Sequence, residues 1–90
     1  MKAVEKYNAR VEKTNSLVCV GLDSDMEKIP HRFRETEFPQ FEFNKWIIGK
    51  TAEYAAAYKP NIAFYESQGE KGIAELKMTI EYLRERHPDI

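Results

Sequence analysis

Asp23, Lys59 and Asn61 offer most of the chemistry in this 90-residue sequence. A carboxylate accepts hydrogen bonds, an ammonium donates them and a primary amide does both, so the set suits a polar ligand rich in hydroxyl groups. Asp23 closes the apolar run Leu17-Val18-Cys19-Val20-Gly21-Leu22, and Lys59 and Asn61 lie in Ala57-Tyr58-Lys59-Pro60-Asn61-Ile62-Ala63-Phe64. Residues two apart on a strand share a face, which lets Lys59 and Asn61 point the same way. In parallel α/β architectures ligands bind at the carboxyl ends of the strands, where these three residues are expected. A plainer reading gives them no ligand. Asp23 then only starts the turn into a Ser24-Asp25-Met26-Glu27 capping box, and Lys59 is a solvated cation near it.

The other candidates carry less. His31 stands in a charged stretch with no second His or Cys at metal-ligand spacing, so it reads as a surface histidine. His87 falls in the last turn of a helix, where a partly protonated imidazole complements the dipole. Gly69 and Gly72 match neither common nucleotide-binding fingerprint. Asp23-Ser24-Asp25 starts like a calcium loop, but the glycine and glutamate such a loop needs do not follow. Tyr54, Tyr58, Phe64 and Tyr65 read as packing residues. Cys19, the single cysteine, lies in an apolar run and reads as a small buried hydrophobe; one cysteine excludes an internal disulfide and a multi-cysteine zinc site.

These residues must be positioned by elements that the pattern also predicts. Val4, Tyr7 and Val11 at helical spacing predict a helix over 1–14, ended by Thr14-Asn15-Ser16. Continuous apolarity over 17–22 is what a strand covered on both faces requires. A short helical turn over 24–27 and a charged surface loop over 30–40 come next. Residues 41–56 read as a helix with Ile47, Ile48, Thr51, Ala52 and Ala55 on one stripe; Gly49 inside it costs helix propensity that close packing would offset. A second strand is expected over 57–64, with Pro60 near its end. After a loop at 66–69, a helix over 70–86 presents Ile73, Leu76, Ile80 and Leu83 as its apolar stripe. Pro88 stops it, and Asp89-Ile90 reads as the start of another strand. This order predicts βα units on a parallel sheet. Two parallel strands alone leave two open edges, so the chain is expected to be part of something larger, either a fragment or a sheet completed by a second copy.

Composition limits the functional classes. With 14 Lys+Arg against 15 Asp+Glu, the chain lacks the basic excess of a nucleic-acid binder. At 42% hydrophobic residues it has enough apolar surface to bury, so wholesale disorder is not expected. The charged amino terminus is unlike a signal peptide, and no run approaches the roughly 18–20 apolar residues of a membrane span. A soluble, cytosolic chain is the expectation.

Several segments resemble one family. Leu17-Val18-Cys19-Val20-Gly21-Leu22-Asp23-Ser24-Asp25 resembles the first-strand signature of orotidine 5′-phosphate decarboxylase. Phe43-Asn44-Lys45-Trp46-Ile47-Ile48 and Tyr58-Lys59-Pro60-Asn61-Ile62-Ala63-Phe64-Tyr65-Glu66 resemble later segments of its longer bacterial-type branch, and Gly69-Glu70-Lys71-Gly72-Ile73 and Leu76-Lys77 continue the match. The order and spacing hold from about Asn15 to Tyr82, with Lys59 to Glu66 the most specific stretch.

The resemblance implies an α/β fold: the first βα units of a (β/α)8 TIM barrel, preceded by an amino-terminal helix. Residues 1–90 would be the amino-terminal part of a single barrel domain, with the helix over 1–14 and two βα units over 16–90, ending before the third strand. It implies removal of CO2 from orotidine monophosphate to give uridine monophosphate, with neither metal nor organic cofactor, in a homodimer. By position, Asp23 would bind ribose hydroxyls. Lys59 would be the first lysine of a Lys-Asp-Lys-Asp charge array and would also contact the ribose, and Asn61 would order that array or the sugar.

The proton-donating lysine of the family lies in an Asp-x-Lys-x-x-Asp motif expected just after Ile90, and the phosphate-gripping loops also lie outside this sequence. The 90-residue chain alone is therefore expected to be inactive. Two other readings compete: a non-catalytic α/β interaction module completed by self-association, and a related phosphosugar decarboxylase, which the Lys59-Pro60-Asn61 segment fits less well.

Overall fold

Two four-residue strands, β1 (Cys19–Leu22) and β2 (Ala57–Pro60), pair in parallel with Cys19 opposite Ala57 and Gly21 opposite Lys59. The structure, a computed structural model, describes residues 2–90. The helices are α1 (Ala3–Thr14), α2 (His31–Arg34), α3 (Pro39–Thr51), α4 (Ile62–Glu66) and α5 (Gly69–Arg86). The expected alternation of helices and parallel strands is therefore present. None of these helices is long and apolar enough to cross a membrane.

The sheet is covered on one face only. Paired residues of a parallel ladder share a face. Val20, Leu22, Tyr58 and Pro60 turn toward the helices, and Leu22 is buried. Cys19, Gly21 and Lys59 lie on the opposite face and are exposed. Within the described residues β1 is thus covered on one side, and Cys19 is exposed rather than buried as expected, because no described element packs on that second face.

Local chemistry explains most of the boundaries. Asn15 closes α1 in the left-handed conformation (φ 53°, ψ 40°) that asparagine tolerates. Pro39 opens α3 at a first-turn position, where a missing N–H costs nothing. The remaining amino-terminal N–H groups of α3 are capped from α5. The buried Glu75 carboxylate accepts from the backbone N–H of Gln40 (2.9 Å) and of Phe41 (3.2 Å).

Several expectations are corrected. The expected helical turn past β1 is present one residue later, with the Lys28 and Ile29 N–H groups on the Asp25 carbonyl, but its cap differs: Asp25, not Ser24, supplies the side-chain oxygen, accepting from the Glu27 N–H at 3.0 Å. The supposed loop 30–40 holds the short α2 and ends in buried Pro39 and Gln40. β2 stops at Pro60, because proline cannot donate to a ladder and Asn61 caps α4 instead. Asp89 and Ile90 lie in a turn, with the Ile90 N–H on the His87 carbonyl at 3.1 Å. The fully buried residues of α5 are Gly72, Glu75 and Thr79; of the expected stripe, Leu76 and Leu83 are half-buried beside them, whereas Ile73 and Ile80 are 45% and 37% exposed. Gly49 is exposed with no atom near the place of a Cβ, so close packing offsets nothing there.

Arg10 fastens α1 to the rest of the fold. It is the one buried residue of α1. Its Nε donates to the Ala55 carbonyl at 3.0 Å, Nη2 donates to the Ala52 carbonyl, and Nη1 meets Asp89 Oδ2 at 3.0 Å. Lys13 Nζ reaches the same carboxylate oxygen at 3.2 Å. Burial raises the Asp89 pKa, but the Lys13 hydrogen bond, its own backbone and the two positive charges prevail and hold it below the usual value.

Candidate active site

The carboxyl ends of β1 and β2 bring the three predicted residues to one end of the sheet. Asp23 immediately follows Leu22, Lys59 is the penultimate residue of β2, and Asn61 follows Pro60. Gly21 pairs with Lys59. A Cβ built on Gly21 would stand 3.1 Å from Asp23 Oδ2, so the Asp23 carboxylate folds back over the same face that Lys59 occupies. Both side chains are exposed there, on the face no helix covers.

Asn61 remains extended (φ −93°, ψ 109°), keeping it on the side of Lys59. Its Oδ1 accepts from the Ala63 N–H at 3.1 Å and caps α4. Asn61 can therefore present its Nδ2 donor and the second lone pair of Oδ1 to a ligand. The arrangement offers one carboxylate acceptor, one ammonium and one amide on an open surface.

Beneath this surface lies a polar layer that sequence reasoning missed. Tyr65, Ser24, Gln40, Asn44 and Thr79 are each completely buried. The Tyr65 hydroxyl donates to the Leu22 carbonyl at 2.7 Å and accepts from Asn44 Nδ2 at 2.9 Å. Asn44 Nδ2 also reaches Thr79 Oγ1 at 3.0 Å, and Thr79 in turn donates to the Glu75 carbonyl at 2.9 Å. Burial pushes the Tyr65 phenol above its ordinary value, so it stays protonated as a donor at neutral pH. Gln40 Nε2 donates to the Ser24 carbonyl (3.0 Å) and to the Phe64 carbonyl (2.8 Å). Single aromatic and amide residues on three different helices give no periodic signal, and only their convergence marks them.

The remaining candidates take structural places. His31 is a surface histidine paired with Glu35 at 3.0 Å. Tyr58 shares a 2.7 Å hydroxyl contact with Thr51, as expected of a packing residue, whereas Tyr54 is largely exposed. Gly72 has a steric reason to be glycine: a Cβ there would come 1.9 Å from the Tyr65 carbonyl oxygen.

Polar side chains stand over the carboxyl end of a parallel β pair, with helices on the other face, which is the place where proteins built of βα units commonly bind their ligands. No family model matches the chain. Curated proteins do. The chain is 53% identical over 79 residues to an orotidine 5′-phosphate decarboxylase of Parabacteroides distasonis, covering 88% of this chain and 28% of that protein. It is 48% identical over 86 residues to the same enzyme of Christiangramia forsetii, covering 96% of this chain and 32% of that one. Among solved structures, a Toxoplasma gondii protein assigned to orotidine-monophosphate decarboxylase superimposes with a TM-score of 0.75 at 35% identity, over 83% of this chain and 25% of its own. The chain thus spans about three-tenths of the length of the curated relatives it matches, in their amino-terminal portion. The resemblance read in the sequence is borne out.

Proposed function

We propose that this chain is the amino-terminal part of an orotidine 5′-phosphate decarboxylase, contributing the first two βα units of a (β/α)8 barrel and the ribose side of its active site. The observation that carries the reading is the placing of Asp23 and Lys59 on one face at the strand ends, within a chain about half identical to enzymes of that name. A barrel also accounts for helices on only one face of the sheet, since the other face of a barrel strand turns toward the packed interior.

In this reading Asp23 accepts hydrogen bonds from ribose hydroxyls of orotidine monophosphate, and Lys59 donates to the ribose and supplies positive charge beside the reacting ring. Asn61 donates through Nδ2 to the sugar or to neighbouring charges. Contacts to ribose lie remote from the bond that breaks and contribute binding energy for the nucleotide, which sets KM. An ammonium near the carbon from which CO2 departs favours the charge that develops there. The proton donor and phosphate contacts belong to the remainder of the barrel. The same reading makes the complete enzyme a cytoplasmic homodimer that needs no metal or organic cofactor.

The test is substitution in the complete protein. Lys59→Ala should lower turnover of orotidine monophosphate by orders of magnitude, with an unchanged circular-dichroism spectrum. An unchanged rate would remove Lys59 from the reaction.

A further inference from the structure

We infer that Tyr65 and Gln40 are positioning residues for Asp23, holding its backbone at a fixed offset from the Lys59–Asn61 segment. The inference rests on the proposed role of Asp23 in binding ribose. Asp23 is an exposed residue between two buried ones, Leu22 and Ser24. Every carbonyl around it is engaged. Tyr65 donates to that of Leu22 (2.7 Å) and the Asp25 N–H to that of Asp23 (2.9 Å); Gln40 donates to that of Ser24 (3.0 Å), and the Lys28 and Ile29 N–H groups to that of Asp25 (2.9 and 3.0 Å).

Two of these clamps come from outside the turn, and both tie it to α4, the helix that Asn61 caps. Tyr65 is itself a residue of α4. Gln40 Nε2 bridges the Ser24 carbonyl to the Phe64 carbonyl of α4. The Asp23 turn and the segment after β2 are thus joined by buried hydrogen bonds independent of the strand ladder. Asn44 fixes the direction of the Tyr65 hydroxyl from behind, so that its proton faces Leu22. A ligand contact is sensitive to displacements well under the length of a hydrogen bond, and buried donors fixed on backbone carbonyls are a means of holding a first contact in place, although Gln40 Oε1 and Asn44 Oδ1 themselves find no partner among the described residues.

The experiment is a double-mutant cycle in the complete protein, reading kcat and KM for orotidine monophosphate. Tyr65→Phe should raise KM about tenfold and leave kcat within about twofold, because only the ribose contact is disturbed. Asp23→Ala should raise KM by itself, and Tyr65→Phe added to Asp23→Ala should change it no further. If the Tyr65→Phe factor multiplies in full on the Asp23→Ala background, or if Tyr65→Phe alone leaves KM unchanged, the positioning role is overturned while that of Asp23 stands. An Asp23→Ala variant with the original KM overturns the ribose reading and this inference together. Should Tyr65→Phe not accumulate as folded protein, Gln40→Met, which removes the other clamp at similar volume, carries the same cycle with the same outcomes.

Discussion

Arg10 shows how a single side chain determines where an element sits. A guanidinium is planar and always charged, and it donates in several directions at once, which suits it to two backbone carbonyls and a carboxylate together. Here it satisfies the Ala52 and Ala55 carbonyls between α3 and β2 and pairs with Asp89 beyond α5. Arg10→Met should destabilise the protein by about 2–4 kcal/mol, because two carbonyls lose their partners on one substitution. Urea denaturation of the complete protein would measure it, and a change below about 0.5 kcal/mol, the range of ordinary surface substitutions, would deny Arg10 this role. Asp23 and Lys59 were legible as candidates because their types interrupt apolar runs at strand ends. Arg10 was not, because in α1 it is one charged residue among several and its partners lie more than forty positions away.

Among the elements, α3 and α5 depend on one another through a cap. Glu75 of α5 satisfies two N–H groups at the start of α3 while itself buried. Burial raises its pKa above the ordinary 4.5, and the two backbone hydrogen bonds and nearby Lys71 only partly offset that. The native state therefore binds more protons than the unfolded chain between the ordinary and the raised value, so this group's contribution to stability falls as pH rises through that window. Glu75→Gln removes the titration. The stability of the variant relative to the parent should improve as pH is raised from about 4 to about 7, and a difference that stays flat would remove Glu75 as the source.

The two interior glycines of these helices carry opposite expectations. Gly72→Ala, forced against the Tyr65 carbonyl, should cost about 1–3 kcal/mol. Gly49→Ala, facing open space, should gain about 0.5–1 kcal/mol from helix propensity. Thermal denaturation of both variants checks the pair, and equal effects would refute it. Periodicity located α1, α3 and α5, yet on the inward face of α5 it placed Leu76 and Leu83 rightly and Ile73 and Ile80 wrongly. The buried face there holds a glycine, a glutamate and a threonine, whose burial depends on a close backbone approach and on caps rather than on hydrophobicity.

Taken together, the described residues leave one sheet face uncovered and the outer edges of both strands unpaired. Leu17 and Val18 are 73% and 44% exposed just before β1, and unpaired edges beside apolar surface invite association. The isolated 90-residue chain should therefore self-associate and show no turnover of orotidine monophosphate. Light scattering and a decarboxylation assay test both, and a well-behaved active monomer would contradict the proposed division of the site between this segment and the rest of a barrel.

The sequence by itself determined the order of helices and parallel strands, the strand-end position of Asp23 and Lys59, and the resemblance that the comparisons bear out, because these depend on local periodicity and on contiguous motifs. Only the tertiary structure decided that one sheet face is left open, that Asn61 caps a helix with its side-chain oxygen, and that Tyr65, Gln40, Arg10 and Glu75 hold the elements together. Those outcomes rest on hydrogen bonds between residues far apart in the chain, whose pairing becomes fixed when the helices pack.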